Sequence, residues 1–472
     1  MSADSIAVLP IPDASGLNAL LLRQRAAFQR RGEPSSVDER RETLRKLEQA
    51  LMERRIELAD AMAADFGGRA RQESLLELFV VIDDLRHAQS HLKRWMRTRK
   101  VSANWQFLPS KARLMPQPLG VIGVIGAYNY PVMTTLSPVV GALAAGNHVM
   151  MKPSSLTPRT TELLRQIVSA LYAEDHVAVV TGDSSVAKQF SKLAFDHLVF
   201  TGSTRVGKLV MRDAAENLVP VTLELGGKCP AIVGEDYDLK AAAETIVQTK
   251  FLNAGQTCVT GDYALVPEGR VEEFLQHARA AILQFYPKLV DNQDYGRVLI
   301  RNDWTRLQDW VNEAGQRGAK VEVFNPANES CSADNRVYPP TLVSRVPTDT
   351  TLCREEIFGP VQVIVSVATL DEAIELINNN PNGNGVALFT QSGAAARKFQ
   401  EDIDVGQVGI NVPIPVPVPL FSFTGSRGSK LGDLGPYGKQ VILFYTQTKT
   451  VTQRWFDDST LSVGVNTTIS LK

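Results

Sequence analysis

Two residues combine a reactive side chain with a setting that suits catalysis. Cys258 lies in the segment Asn-Ala-Gly-Gln-Thr-Cys-Val, where Gly255 permits a turn between a predicted helix and a predicted strand. Glu224 lies at the end of an apolar run, shortly before two glycines. A carboxylate at the carboxyl edge of a parallel sheet lies where ligands bind. A thiolate nucleophile and a carboxylate that activates water together predict acyl-enzyme chemistry.

These residues also admit other interpretations. Cysteine is among the most frequently buried residue types, so a structural role is the alternative for Cys258. The remaining cysteines, Cys229, Cys331 and Cys353, lack a comparable setting. A serine hydrolase is disfavoured because the G-x-S-x-G pattern does not occur. Without C-x-x-C or H-E-x-x-H spacing, neither a disulfide framework nor a metal site is predicted.

A glycine-rich turn follows a predicted strand in the segment Phe-Thr-Gly-Ser-Thr-Arg-Val-Gly. Gly202 and Gly207 bracket the start of a predicted helix, where backbone N–H groups and the helix dipole can hold a phosphate. The segment with Lys208 approaches the G-x-x-x-x-G-K-[ST] pattern, but Leu209 offers magnesium no hydroxyl, so a nucleotide triphosphatase is disfavoured. A phosphate-binding turn and a purely structural turn both remain open on this motif alone.

Short apolar strands alternate with amphipathic helices over most of the chain, which predicts parallel sheets with helices on both faces. The first half has predicted strands at 121–126, 147–152, 177–181, 197–201 and 219–224, and predicted helices at 16–60, 72–97, 158–172, 184–193 and 205–215. The alternation continues from 231 to 405 with helices at 238–253, 270–285, 302–315 and 371–378 and strands at 263–266 and 320–324. A second α/β domain is therefore predicted.

Three segments depart from this rhythm. Prolines and aromatic residues at 101–118 predict an irregular hairpin arm. Prolines at every second position of 412–420 exclude a helix or a central strand and predict an extended surface loop. The β-rich composition of 441–452 predicts an added edge strand.

Composition excludes several classes of function. The 472 residues contain 50 Lys and Arg against 51 Asp and Glu, so the basic excess typical of nucleic-acid binding is missing. The start of the sequence lacks the pattern of a secretory signal, and the longest apolar stretch, Leu119 to Tyr130, is shorter than the roughly 20 residues of a membrane helix. We therefore expect a cytoplasmic protein with reduced thiols that binds neither membranes nor nucleic acids.

Taken together, the motifs resemble those of the aldehyde dehydrogenase superfamily. They occur in the family's order as Gly-Val-Ile-Gly-Val-Ile-Gly-Ala-Tyr-Asn-Tyr-Pro from Gly120, Ala-Ala-Gly-Asn and Lys-Pro-Ser at 144–154, the glycine turn, Glu-Leu-Gly-Gly-Lys from Glu224, Gly-Gln-Thr-Cys, and Glu-Ile-Phe-Gly-Pro from Glu356. Residues 65–260 are most similar to the class-three branch and, within it, to coniferyl-aldehyde dehydrogenases. Residues 411–455 instead resemble methylmalonate-semialdehyde dehydrogenases.

The resemblance implies an α/β architecture with separate cofactor-binding and catalytic domains. It predicts a Rossmann-like cofactor domain at 1–100 and 118–230 and an α/β catalytic domain at 231–410. A small β oligomerisation arm is expected at 101–117 and 438–455, crossing between subunits, and 411–437 is expected to form a loop that returns to the cofactor domain. A homodimer is the expected assembly, with a tetramer as the alternative.

The resemblance also implies roles for individual residues. Cys258 attacks the aldehyde carbon, the Asn129 amide and the Cys258 N–H hold the oxyanion, the nicotinamide accepts a hydride, and Glu224 activates water to hydrolyse the thioester. The residues expected to bind NAD or NADP are Ile125, Lys152, Ser155, Gly202, Ser203, Gly207, Leu225, Glu356 and Phe358. NAD-preferring relatives have a glutamate at the place of Ser155. Its loss removes repulsion against a 2′-phosphate, so we expect NADP to be accepted as well as NAD.

These roles predict NAD(P)-dependent oxidation of an aldehyde, an aromatic one such as coniferyl aldehyde, to the carboxylic acid. Because the C-terminal segment resembles a branch that passes the acyl group to coenzyme A, a CoA-acylating semialdehyde dehydrogenase is the alternative. Hydrolysis is favoured since Glu224 is present. A third hypothesis, an inactive structural or binding protein with this fold, is disfavoured by the intact Cys258, Glu224 and Asn129.

Overall fold

The computed structural model describes residues 14–32, 35–107, 110–415 and 420–455. Its α-helices are α1 (Ala14–Arg30), α2 (Val37–Glu53), α3 (Arg55–Phe66), α4 (Arg71–Trp95), α5 (Met133–Ala145), α6 (Pro158–Leu171), α7 (Ser184–Ser191), α8 (Thr204–Ala215), α9 (Leu239–Phe251), α10 (Val271–Phe285), α11 (Arg301–Gln316), α12 (Thr351–Arg354), α13 (Leu370–Asn378), α14 (Gly393–Asp402) and α15 (Val441–Phe444).

The strands are β1 (Arg99–Val101), β2 (Lys111–Pro118), β3 (Val121–Ile125), β4 (His148–Lys152), β5 (Val177–Val179), β6 (His197–Gly202), β7 (Val221–Leu225), β8 (Pro230–Val233), β9 (Tyr263–Pro267), β10 (Lys320–Val323), β11 (Thr341–Ser344), β12 (Val361–Val367), β13 (Asn382–Gly383), β14 (Gly385–Phe389), β15 (Gln407–Ile410), β16 (Ser426–Arg427), β17 (Lys430–Leu431) and β18 (Thr446–Gln453).

Two largely parallel sheets organise the molecule. The first has the strand order β17-β7-β6-β3-β4-β5, in which only the edge strand β17 is antiparallel. The second has the order β10-β11-β12-β9-β8-β14-β15, and its edge strand β10 is antiparallel. Apolar cores lie on both faces of each sheet, because helices cover both. The predicted α/β fold is confirmed.

The prediction of one continuous helix at 16–60 is wrong. It is divided into α1, α2 and α3. Ser36 starts α2 with a capping box, because its hydroxyl accepts from the Glu39 N–H and the Glu39 carboxylate accepts from the Ser36 N–H. Helical periodicity of the apolar residues continues across the break between α1 and α2. The apolar pattern alone therefore does not indicate the capping box at Ser36.

The predicted edge strand at 441–452 is correct only in its second part. Val441, Ile442 and Phe444 are buried in α15, which packs on α5, and the strand β18 begins after Tyr445. Val441 of α15 approaches Gly141 of α5 closely, since a Cβ added at Gly141 would lie 2.1 Å from Val441 Cγ2. This contact explains the position of α15. Apolar residues with high β-propensity thus complete a helical core here.

The predicted arm forms a regular antiparallel sheet of β1, β2 and β18 within one chain. Pro116 and Pro118 are tolerated in β2 because β1 pairs only with residues 112–114, so the proline end is bonded on one side alone. Of the predicted proline loop, residues 416–419 lie outside the described residues, and the described positions from 411 to 415 form neither helix nor strand. Within the described ranges, no helix is long and apolar enough to cross a membrane.

Candidate active site

The segment that carries Cys258 is a tight, non-repetitive turn. After α9 ends at Phe251, Asn253, Ala254 and Gly255 all have positive φ angles, of 49°, 52° and 74°. At Gly255 an added Cβ would lie 2.2 Å from the Gly359 carbonyl oxygen, so only glycine fits. This compact turn between α9 and β9 presents Cys258 in a partly exposed position.

Asn129 is bound to the same turn from the loop after β3. Its Nδ2 donates a hydrogen bond to the Gln256 carbonyl oxygen at 3.0 Å, and Asn253 Nδ2 donates to the Asn129 carbonyl oxygen at 2.9 Å. A side-chain amide has two N–H donors, so the second remains for another acceptor, as the predicted oxyanion role requires. The structure thus brings Asn129 to the predicted nucleophile's turn.

A buried ionic network that sequence reasoning missed holds both loops. Arg69 pairs with Glu77 at 2.9 Å, and Glu77 Oε1 accepts the N–H groups of Val132 and Met133 at the start of α5. Glu73 accepts the Tyr130 hydroxyl and the Asn253 N–H. Glu73 and Glu77 are one helical turn apart on α4. This spacing indicates that they share a face of the helix, but it does not indicate which residues they contact.

Glu224 lies near the carboxyl end of β7 and is almost fully buried. Burial raises the pKa of its carboxyl to about 7, and the nearby Lys430 ammonium partly opposes that rise. Its Oε1 faces the Lys430 ammonium at 3.4 Å and accepts no other hydrogen bond from the described residues. Such a carboxyl is half ionised near neutral pH, as a general base requires.

The Asn384 side chain links the backbone beside Glu224 to the backbone at Cys258. Asn384 Nδ2 donates to the carbonyl oxygens of Leu225, at 3.3 Å, and Cys258, at 3.0 Å. Burial raises the pKa of the Cys258 thiol to about 12, and the charges of Glu356 and Glu224 add to the rise. A cysteine nucleophile attacks as the thiolate, so the predicted role of Cys258 requires its thiol to lose a proton first.

Glu356 and Phe358 lie on the other side of the glycine pair that follows β7. The Gly227 N–H donates to the Glu356 carboxylate, and burial together with Asp262 raises the pKa of Glu356 to about 8. Gly226 lets the Glu356 carboxylate approach the backbone, because an added Cβ would lie 2.1 Å from Glu356 Oε2. Phe358 packs edge-on against Tyr128, with ring centroids 6.0 Å apart.

The other predicted cofactor residues gather at one edge of the first sheet. Ile125, Lys152, Gly202 and Leu225 end the neighbouring parallel strands β3, β4, β6 and β7. Carboxyl ends of parallel strands meet at the edge where nucleotides bind in open α/β sheets.

The residues at this edge fit a dinucleotide. Ser203 caps α8 by accepting the Val206 N–H, and Gly207 lets α8 pack on β7, because an added Cβ would lie 2.8 Å from Leu225 Cδ2. Lys152 Nζ donates only to the carbonyl oxygens of Pro153 and Gly182 among the described residues, and burial lowers its pKa to about 8. A third donor on a buried cation suits a ribose hydroxyl. Ser155 is exposed nearby.

Comparison with known proteins decides the family. A model of the aldehyde dehydrogenase family matches residues 5–451. The chain belongs to the aldehyde dehydrogenase family. It is 41% identical over 397 residues to a probable coniferyl aldehyde dehydrogenase of Pseudomonas aeruginosa, covering 84% of this chain and 82% of the relative.

The chain is also similar to two further proteins. A dimeric NADP-preferring aldehyde dehydrogenase of Canis lupus familiaris is 33% identical, covering 84% of this chain and 86% of its own. The structure of a putative methylmalonate-semialdehyde dehydrogenase from Sinorhizobium meliloti, complexed with NAD, superposes with a TM-score of 0.86 at 26% identity, covering 95% of this chain and 91% of that one. The resemblance stated from the motifs is confirmed, and this aldehyde dehydrogenase is an oxidoreductase that acts on aldehydes.

Replacing Asn129 with alanine is expected to lower kcat of this aldehyde dehydrogenase by about 100-fold, the usual loss for one oxyanion donor. The loss should fall on the step that forms and collapses the tetrahedral intermediate, so the KM for aldehyde should change far less than kcat. Steady-state kinetics with cinnamaldehyde checks this result. A large rise in KM with kcat unchanged would instead assign Asn129 to ground-state binding.

Proposed function

We propose that this aldehyde dehydrogenase oxidises an aromatic aldehyde, of the coniferyl-aldehyde type, to its carboxylic acid with NAD or NADP. The observation that carries the proposal is the convergence of Cys258, Asn129 and Glu224 beside the carboxyl edge of the first sheet. The aromatic substrate is supported by the similarity of the chain to coniferyl aldehyde dehydrogenases. A panel of cinnamyl, benzyl and short aliphatic aldehydes tests it, and a preference for aliphatic substrates would overturn it.

The proposed mechanism uses three side chains. Cys258 Sγ adds to the aldehyde carbon as the thiol proton passes to bulk water, and the Asn129 amide stabilises the oxyanion. NAD or NADP, held at the sheet edge by residues such as Lys152 and Gly202, would supply the hydride acceptor that this oxidation requires. Glu224 then takes a proton from water, which attacks the thioester carbon. The C–S bond breaks, the acid leaves, and the thiol is restored.

Acyl transfer to coenzyme A is the second candidate function. The structural likeness to a methylmalonate-semialdehyde dehydrogenase keeps it open. Glu224 supports hydrolysis, because a buried carboxyl with a pKa near 7 can activate water. Product analysis with and without coenzyme A separates the two: free acid at an undiminished rate without coenzyme A supports hydrolysis, and acyl-CoA as the product contradicts it.

Comparable turnover with NAD and NADP is the expected result for the wild-type enzyme, because Ser155 brings no negative charge against a 2′-phosphate. Ser155→Glu should reduce kcat/KM for NADP by at least tenfold through charge repulsion, while the value for NAD changes little. Ser155→Gln is the matched control for size. Steady-state kinetics with both cofactors checks the result, and a wild-type preference for NAD above about 100-fold, roughly 2.7 kcal/mol, would contradict it.

We also propose a cytoplasmic homodimer, with a tetramer as the alternative, in which the arm of β1, β2 and β18 crosses between subunits. Exposed aromatic side chains on the arm support this: Trp105 is 73% exposed and Trp455 82% exposed in the single chain. Light scattering after gel filtration tests the assembly. The proposed domain division is supported by the strands, since β3 to β7 fall within 118–230 and β8 to β15 fall within 231–410, except for Pro230 at the start of β8.

A further inference from the structure

Lys430 lies directly opposite Glu224 across the edge of the first sheet. The short strand β17 pairs antiparallel with β7, and its register places Lys430 against Glu224 and Leu431 against Leu223. Residues that face each other in an antiparallel pair extend their side chains to the same side of the sheet. The Leu225 N–H donates to the Ser429 carbonyl oxygen at 2.9 Å and fixes this register beside the carboxyl group.

The contact between the two side chains is an almost fully buried ion pair. Lys430 Nζ lies 3.4 Å from Glu224 Oε1, and the side chains are 7% and 4% exposed. Lys430 Nζ also donates to the Phe423 carbonyl oxygen at 3.1 Å, which holds the ammonium in place. Glu224 is the only carboxylate within ion-pair distance of Lys430 among the described residues.

The other titratable groups near Glu224 do not supply a positive charge. They are the Cys258 thiol and the phenols of Tyr437 and Tyr445, each of which has its pKa raised by the neighbouring Glu224 charge as well as by burial. Each of these groups is neutral at pH 7. The Lys430 ammonium is therefore the one cation that the described part of the chain sets against the Glu224 carboxylate.

We propose that Lys430 is a positioning residue for Glu224, which keeps the carboxylate ionised and aimed at the water that hydrolyses the Cys258 thioester. This inference rests on the proposed function, because it assigns a partner to the base of that reaction. The balance is that of ordinary hydrolysis: the water oxygen bonds to the acyl carbon, Glu224 takes the water's proton, the C–S bond breaks, and the proton returns to the sulfur.

The sign of the effect follows from two opposed influences on the carboxyl. Burial favours the neutral acid, whereas a cation at 3.4 Å favours the carboxylate. Removal of the cation leaves burial unopposed, so the pKa of Glu224 rises. Because only the carboxylate acts as a base, hydrolysis of the thioester then requires a higher pH.

The test compares Lys430→Met, Lys430→Arg and Lys430→Gln with the control Lys439→Met, which removes an exposed lysine from the same C-terminal segment. With 4-nitrophenyl acetate, the burst of nitrophenol measures acylation of Cys258 and the slow phase measures hydrolysis of the acyl-enzyme. Both phases are recorded from pH 6 to pH 10, together with reduction of NAD and NADP by cinnamaldehyde.

For Lys430→Met and Lys430→Gln we expect a slow phase about fivefold slower at pH 7 and an acid limb displaced upward by about one pH unit, with the burst preserved. Lys430→Arg should restore the wild-type midpoint, and Lys439→Met should match wild type. Equal losses in burst and slow phase with an unmoved midpoint would assign a structural role and overturn the proposal, as would unchanged kinetics in all variants. If wild type itself gave no burst and no cofactor reduction, the proposed function would fail instead.

Discussion

Replacing Cys258 with alanine is expected to abolish aldehyde oxidation, with a loss in kcat of at least about 10⁴-fold. The loss is this large because alanine cannot form the covalent bond from which hydride departs. The matched control is Cys331→Ser, which changes a partly buried cysteine that packs against the core of the second sheet. Reduced-cofactor absorbance with a panel of aldehydes measures the effect.

The same experiment tests the inactive-protein hypothesis. Turnover by wild type that disappears in Cys258→Ala, while Cys331→Ser keeps it, establishes the thiol as the nucleophile. If wild type shows no reduced-cofactor absorbance with any aldehyde, yet Cys258→Ala binds aldehyde and cofactor, the chain is a binding protein with this fold. Circular dichroism of each variant verifies that folding is retained.

Replacing Glu224 with glutamine should stop the reaction at the thioester. Glutamine keeps the size of the side chain but cannot accept a proton from water, so steady-state turnover should fall by about 10³-fold. Acylation does not need this activated water. Mixing enzyme, cofactor and cinnamaldehyde should therefore give a burst of about one reduced cofactor per site, and mass spectrometry should detect the acyl group on Cys258.

Glu235→Gln, which neutralises a glutamate at a distance from this site in the loop between β8 and α9, provides the control. Loss of both the burst and the steady state in Glu224→Gln would make Glu224 the base for thiol attack. Retention of full turnover would remove it from the mechanism. Rescue of Glu224→Gln by coenzyme A, with acyl-CoA as the product, would favour the transfer reaction over hydrolysis.

The sequence allowed much of the catalytic arrangement to be predicted because the relevant residues terminate recognisable elements. Apolar runs identified β3, β4, β6 and β7, and parallel pairing brings their carboxyl ends to one edge. Local motifs likewise identified the Cys258 turn and the start of α8. The roles assigned to Cys258, Glu224 and Asn129 stay predictions until the substitutions above are measured.

The ionic partners were not predictable, for a physical reason. Glu77 reaches the N–H groups of Val132 and Met133 only through the packing of α4 on α5, and Lys430 reaches Glu224 only through the pairing of β17 with β7. A two-residue strand carries no periodicity, and its register is set by the fold around it. Similarly, α15 forms where Val441 packs on Gly141. The β-propensity of the residues in α15 predicts a strand instead.

The place of β17 in the chain has a consequence for the order in which the enzyme matures during synthesis. Asn129, Glu224 and Cys258 leave the ribosome well before the edge strand that carries Lys430. A nascent chain can thus contain the predicted nucleophile and its predicted base while the sheet edge beside that base is still incomplete. Under the proposed function, full hydrolytic competence awaits synthesis of β17, so a stop ahead of this strand would release a chain that holds Cys258 without the support proposed for Glu224.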